Sequence, residues 1–202
     1  MKSLVYLIGA GGHSRMLVNL LELNHVRIGG VFDNNFTPHE RISGYPLVGN
    51  LQAIQAHHTL ILSMSDCFNR DRFFKLYDSQ TWKENIFHPS SSIENRVELG
   101  QCNQFFAGAY VGSQVKIGNN NIFNTRSVVE HETTIGSHNH IAVGTIICGR
   151  VLIADRCFIG AGAVIIDKIK IGSDVIIGAN AVVIRDIQEP GTYVGNPAKR
   201  IR

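Results

Sequence analysis

From Ile93 to Val183 an aliphatic residue or Phe occupies every sixth position of this 202-residue chain, sixteen times without a shift. The series runs Ile93, Leu99, Phe105, Val111, Ile117, Phe123, Val129, Ile135, Ile141, Ile147, Ile153, Ile159, Ile165, Ile171, Ile177, Val183. A run of β-hairpins would not keep such a series in phase. A six-residue repeat marks a parallel β-helix, in which three hexads make one triangular coil and the coils stack. The beat residue points into the prism. Two positions earlier the residues are mostly small or β-branched, as at Ala109, Ser127, Thr133, Thr145, Cys157 and Ala163, and these are expected to face inward near a corner. Gly follows the beat at Gly100, Gly112, Gly118, Gly136, Gly160, Gly172 and Gly178, where unusual backbone angles are the expected reason. Beat residues eighteen apart then stack at roughly 4.8 Å, in about five coils.

The first third has a different pattern. Leu4-Val5-Tyr6-Leu7-Ile8 reads as a buried parallel strand, Gly9 to Ser14 as a glycine turn, and Arg15 to Asn24 as a helix with Met16, Leu17, Leu20 and Leu21 on its apolar face. A second strand, Ile28 to Phe32, ends at Asp33-Asn34-Asn35. Tyr45 to Asn50 reads as a loop and turn. A helix near Leu51 to His57, a strand from Thr59 to Ser63 and a helix from Asn69 to Asp78 complete a small Rossmann-like unit. The expected domains are residues 1–84 and 85–202.

A net charge of +3, with basic residues scattered except at Lys199-Arg200-Ile201-Arg202, gives no reason to expect nucleic acid as a partner. No stretch is long and apolar enough to suggest a membrane span. Met1-Lys2-Ser3-Leu4 leads straight into a strand pattern, so no secretory signal is expected. Cys67, Cys102, Cys148 and Cys157 lack metal-like spacing; no metal is expected, and a reducing cytoplasm is the simplest setting.

The glycine turn has chemical meaning. Amides of Gly11, Gly12 and His13 at a helix start suit a phosphate, and Asp33 with Asn34 at the end of the second strand suits a ribose or base. Ser14 stands where the dinucleotide fingerprint has its third Gly, and the domain is too short to hold a nicotinamide. A nucleotide portion of a substrate is the expected ligand.

Four features together carry a resemblance: Ile8-Gly9-Ala10-Gly11-Gly12-His13 with Phe32-Asp33, the prism, Glu130-His131-Glu132, and Gly195-Asn196-Pro197-Ala198-Lys199-Arg200. Over nearly its whole length the chain resembles the bacterial sugar acetyltransferases of the sialic acid O-acetyltransferase type. These include N-acetyltransferases of nucleotide-linked 4-amino-4,6-dideoxy sugars. The resemblance implies an α/β Rossmann-like N-terminal domain, an all-β left-handed parallel β-helix, and a homotrimer with acetyl-CoA between neighbouring prisms. It also implies a nucleotide sugar held by the N-terminal domain. His131 becomes the general base and Glu132 its orienting partner; a carboxylate beside an imidazole fixes its tautomer. Gly149, eighteen residues on, falls on the same corner one coil away, and the resemblance makes its N–H the oxyanion donor. Asn124 and His140 match positions lining the family's site. His140 is half a coil from His131, so a neighbouring subunit is expected to bring one of them across.

Departures from the family concern the acceptor. After the third strand the family usually has a small pair and then an Arg, whereas this chain has Ser63-Met64-Ser65-Asp66-Cys67-Phe68-Asn69-Arg70-Asp71-Arg72. Ser63 is a candidate substrate contact, and Arg70 a candidate phosphate contact with Arg72 its equal. Lys199, Arg200 and Arg202 are candidates for CoA phosphates. The expected reaction is direct acetyl transfer to a nucleotide-linked 4-amino sugar. O-acetylation of sialic acid or another sugar is the alternative enzyme, and a trimeric nucleotide-sensing scaffold the alternative of another class.

Overall fold

The computed structural model of the chain describes residues 4–201, so expectations placed on Met1 to Ser3 and on Arg202 lie outside the described residues. The chain divides into two compact units after Ile86.

In the first unit a five-stranded sheet has the order β3-β4-β2-β1-β5. Its strands are β1 (Leu4–Ile8), β2 (Arg27–Phe32), β3 (Arg41–Ile42), β4 (Tyr45–Gly49) and β5 (Thr59–Leu62). β1 runs parallel to β2 on one side and to β5 on the other, so the topology reverses at β1. Helix α1 (Gly12–Leu23) starts three residues earlier than expected, and the turn glycines therefore sit at its first turn. Its buried face is Leu17, Val18, Leu20 and Leu21; Met16 lies outside it. The second correction is β4. Tyr45 to Gly49 is a strand, parallel to β2, with Leu47 buried and Val48 exposed in alternation; Pro46 is tolerated because only the two-residue β3 pairs on that side. The third is Leu51 to His57, which holds a single 3₁₀ turn, Leu51–Ala53: Leu51 and Ile54 alone cannot make a helical stripe. Helix α2 (Cys67–Leu76) starts two residues earlier than expected because Asp66 caps it, accepting from Asn69 N at 2.7 Å.

The second unit is a parallel β-helix with three ladders of short rungs. Face one carries Ile93, Val111, Val129, Ile147, Ile165 and Val183 in register. Face two carries Leu99, Ile117, Ile135, Ile153 and Ile171. Face three carries Phe105, Phe123, Ile141, Ile159 and Ile177, and continues into strands Gly191–Val194 and Lys199–Arg200. Every beat residue from Phe105 to Val183 is buried, and the small residues two before it are buried as well. Phe87, Phe105 and Phe123 stack with ring centroids 4.9 and 4.7 Å apart.

The corner is built differently from expectation. The residue with positive φ is the third after the beat, as at Gln114, Asn120, Glu132, His138 and Arg150, and it is mostly not glycine. The glycine directly after the beat answers a steric demand. At Gly118 an added Cβ would lie 2.6 Å from Ser137 Oγ and 2.7 Å from the Gly136 carbonyl oxygen of the next coil.

Two ladders of polar side chains were not foreseen. Asn103, Asn121 and Asn139 are buried eighteen residues apart, and the Oδ1 of each accepts from the amide of the next, ending at Cys157 N (2.8, 2.8 and 2.7 Å). At the adjoining corner Asn120 meets His138 at 2.9 Å, and Arg156 grips Asp174 with two 2.8 Å bonds. Those bonds hold the Asp174 carboxyl below its ordinary range.

Candidate active site on the prism and glycine turn in the sheet

On face one, the rung Val128–Val129 ends in Glu130, His131 and Glu132. Val129 points inward. Glu132 takes the left-handed corner conformation (φ 58°), which throws His131 off the apex. Its Nδ1 lies 3.1 Å from Glu132 Oε2, and both side chains are 51% exposed. A carboxylate at Nδ1 favours the neutral tautomer protonated there and leaves the Nε2 lone pair free to take a proton. The corner is pinned from above by Arg150 N, which donates to the His131 carbonyl at 2.9 Å.

Gly149 sits one coil on, as the spacing required. The imidazole lies across it: an added Cβ would come within 2.6 Å of His131 Cε1, 2.7 Å of Nε2 and 3.1 Å of Nδ1. The Gly149 carbonyl accepts from Lys168 N at 3.0 Å, whereas its N–H has no acceptor among the described residues.

Around this trio face one turns an apolar surface outward. Ile146, Ile166 and Ile184 are exposed, and Cys148 is half-buried beside them. Burial and the Asp167 and Glu130 carboxylates push the Cys148 thiol up, so it stays protonated and is a poor nucleophile. Sequence reading passed over Asp167 and Arg150, which pair at 3.3 Å on the same corner; Asp167 lies eighteen residues after Gly149, and that interval was the available signal.

Asn124 and His140 form a second group, on face three. Asn124 Nδ2 is 3.3 Å from His140 Nε2, and Asn124 Oδ1 accepts from Thr125 N at 2.8 Å. The His140 ring meets Phe158 edge-on at 5.1 Å, and both polar side chains are buried. Within one chain these two residues are together, and on a different face from His131.

At the end of the prism Lys199 and Arg200 line a cleft of about 320 Å³ with Arg185, Asp186 and Tyr193. Arg200 is engaged there, pairing with Glu189 at 2.6 Å and donating to the Pro190 carbonyl at 3.0 Å. Lys199 is exposed, with no such partner among the described residues.

In the first unit the glycine turn lies at the carboxyl ends of β1, β2 and β5, where open α/β sheets bind ligands. Gly11 is the N-cap of α1 with φ −75°, and a Cβ added at Gly11 or Gly12 would meet nothing within 4 Å. No described residue fills that space, which leaves it open to a ligand. His13 is half-buried in the first turn, and Asn34 is exposed. Two of the expected contacts, Ser63 and Arg70, are buried, and a third, Asp33, already serves the backbone. Asp33 is half-buried and accepts from Ala10 N at 2.7 Å and Asn35 N at 2.8 Å, one bond to each carboxylate oxygen. Ser63 is fully buried, its hydroxyl directed at the Ile8 and Gly9 carbonyls (2.8 and 2.7 Å). Arg70 is also fully buried, donating to the Leu62 and Met64 carbonyls (3.2 and 3.0 Å), so it faces the loop and not solvent. Arg72 is exposed and lies over the Phe73 ring.

Residues 4–77 match the family described as the PglD N-terminal domain, and residues 150–185 match the bacterial transferase hexapeptide family (six repeats). No curated protein matches the chain. Among solved structures, PerB from Caulobacter crescentus in complex with CoA and GDP-perosamine is similar: 29% identity, 99% of this chain and 98% of that one, TM-score 0.91. A mutant of the GDP-perosamine N-acetyl transferase of the same organism, also with CoA and GDP-perosamine, gives 29% identity, 99% and 97% coverage and TM-score 0.92. The acetyltransferase domain of PglB from Neisseria gonorrhoeae FA1090, in complex with acetyl coenzyme A, gives 25% identity, full coverage of both chains and TM-score 0.90.

Proposed function

We propose that this chain, a hexapeptide-repeat acetyltransferase of the nucleotide-amino-sugar type, acetylates the 4-amino group of a nucleotide-linked 4-amino-4,6-dideoxy sugar. Acetyl-CoA is the donor. The observation that carries the reading is the His131–Glu132 pair lying over Gly149. In the proposed reaction the sugar amine adds to the thioester carbonyl and passes a proton to His131 Nε2. Glu132 steadies the imidazolium. The Gly149 N–H donates to the carbonyl oxygen as negative charge develops on it, a contribution of about 3 kcal/mol where such a donor is well placed. Collapse of the adduct breaks the C–S bond, forms the amide and releases CoA as a thiol with the proton held by His131. Relatives solved with CoA and GDP-perosamine support both the donor and an acceptor of this class.

The nucleotide part is proposed to rest on the amides of Gly11, Gly12 and His13, with Asn34 beside the base. A homotrimer working in the cytoplasm completes the proposal. Ile146, Ile166 and Ile184 form an apolar strip that a second prism would cover, and the Asn124–His140 pair of one copy would then complete the site of the next. Lys199 is the proposed CoA phosphate contact, with Arg200 secondary because Glu189 holds it.

The test is thiol release from acetyl-CoA with UDP-, dTDP- and GDP-linked 4-amino-4,6-dideoxy sugars and free sialic acid as acceptors. Release with one nucleotide amino sugar is expected. Release with sialic acid alone would overturn the reading in favour of O-acetylation.

A further inference from the structure

The peptide between Gly9 and Ala10 is held at both ends. Gly9 has φ +108°, a conformation that favours glycine, and its carbonyl turns into the space between the ends of β1 and β5. Two hydroxyls converge on that oxygen: Ser14 from the first turn of α1, and Ser63 from the end of β5 at 2.7 Å. Ser14 also reaches the Ser63 carbonyl at 3.2 Å, and both serines are fully buried. The N–H of the same peptide unit donates to Asp33 Oδ2 at 2.7 Å. A peptide unit is planar, so fixing its C=O and its N–H fixes its orientation. Arg70 holds the segment that carries Ser63, donating to the carbonyls on either side of it, at Leu62 and Met64.

Five carbonyls and two hydroxyls thus gather beside the helix start, with both hydroxyls fully buried. Each hydroxyl has one proton, shared between two carbonyls; the Ile8 carbonyl also accepts from Ser63 N at 3.0 Å, so the Gly9 oxygen is the one that depends on the serines, and losing either leaves it held by the other hydroxyl alone. The turn can then relax by rotating the Gly9–Ala10 peptide toward water. That rotation swings the amides of Gly11 and Gly12, which follow directly.

We infer that Ser14 and Ser63, seated by Arg70, are positioning residues for the acceptor: they clamp the Gly9–Ala10 peptide so that the helix-start amides meet the diphosphate of the nucleotide. The inference rests on the proposed nucleotide-sugar acceptor. It also accounts for serine at position 14, where a dinucleotide site has glycine: this chain uses the side chain to lock the turn from behind.

The experiment is steady-state kinetics of Ser14→Ala, Ser63→Ala, the double variant and Arg70→Lys, with calorimetric titration of GDP, UDP and dTDP into each. The acceptor KM and the Kd of the nucleoside diphosphate should rise together by about tenfold in the single serine variants. The acetyl-CoA KM and kcat should stay within about threefold, because the clamp touches neither the thioester nor His131. The two serines share one carbonyl, so the double variant should depart from the product of the singles. Folded variants with an unchanged acceptor KM would overturn the clamp while leaving the enzyme reading intact. So would a parallel loss in kcat and both KM values, which marks general destabilisation. Should the variants fail to fold, hydrogen exchange of the unaltered protein decides: a bound nucleoside diphosphate should slow exchange at Gly11 and Gly12, and no slowing would refute the inference. An unaltered protein that binds none of the three nucleotides would remove the nucleotide acceptor itself.

Discussion

Alanine at position 131 should leave a folded protein that binds both substrates and turns over about 10²- to 10⁴-fold more slowly, the range that a positioned general base contributes. Little stability is at risk, because the imidazole is half exposed and projects from a corner. The core beneath it is made by Val129, Ile147 and their ladder, which the substitution does not touch. Substrate affinity should hold, since a base in the proposed role acts on the proton that leaves the amine as the new bond forms. The check is kcat and KM for each substrate by thiol release, with thermal unfolding alongside. A fall in kcat of less than tenfold, or a loss explained by KM alone, would remove His131 from the role of base.

Gly149→Ala is the second large effect, and it arises through the same imidazole. The backbone at Gly149 lies outside the positive-φ region, so alanine brings no conformational strain there. The difficulty is space: the new Cβ would lie 2.6 to 3.1 Å from three atoms of the His131 ring. The ring has a way out, toward solvent, and taking it breaks the 3.1 Å contact with Glu132 Oε2. Activity should fall by about 10²-fold or more, as a misplaced catalytic group commonly costs, with little change in unfolding temperature. Because the damage passes through His131, adding Gly149→Ala to His131→Ala should cost much less than it does alone, leaving only the oxyanion part. Multiplicative losses in the double variant would mean that Gly149 acts independently of the imidazole.

The prism was legible because its rule is local. Each beat residue needs only its own hexad to be recognised, and Gly149 could be set beside His131 by counting eighteen. The same counting finds the Asn103–Asn121–Asn139 ladder and Asp167, once polar residues are sought at that interval as well as apolar ones. The role of the post-beat glycines was misread because a close approach between coils leaves no trace in the sequence of a single hexad. In the first unit the misread pieces share a cause. β4 is a strand through its pairing with β2, against the turn signals of Pro46 and Gly49. The hydroxyl of Ser63 is spent on carbonyls at Ile8 and Gly9, 55 and 54 residues away, and no local pattern announces such partners. Arg70 looked like a phosphate ligand for the same reason: its charge is visible in the sequence, and its burial beneath the loop is not.

The most direct test of acetyl transfer to a sugar amine is the chemistry of the product. The unaltered enzyme would be incubated with acetyl-CoA and the nucleotide-linked 4-amino sugar, the product isolated, and its mass taken before and after mild hydroxylamine. The account predicts a gain of one acetyl group that survives the treatment, as an amide does. An acetyl group lost to hydroxylamine would be an ester on a hydroxyl, and the N-acetyltransferase assignment would be contradicted.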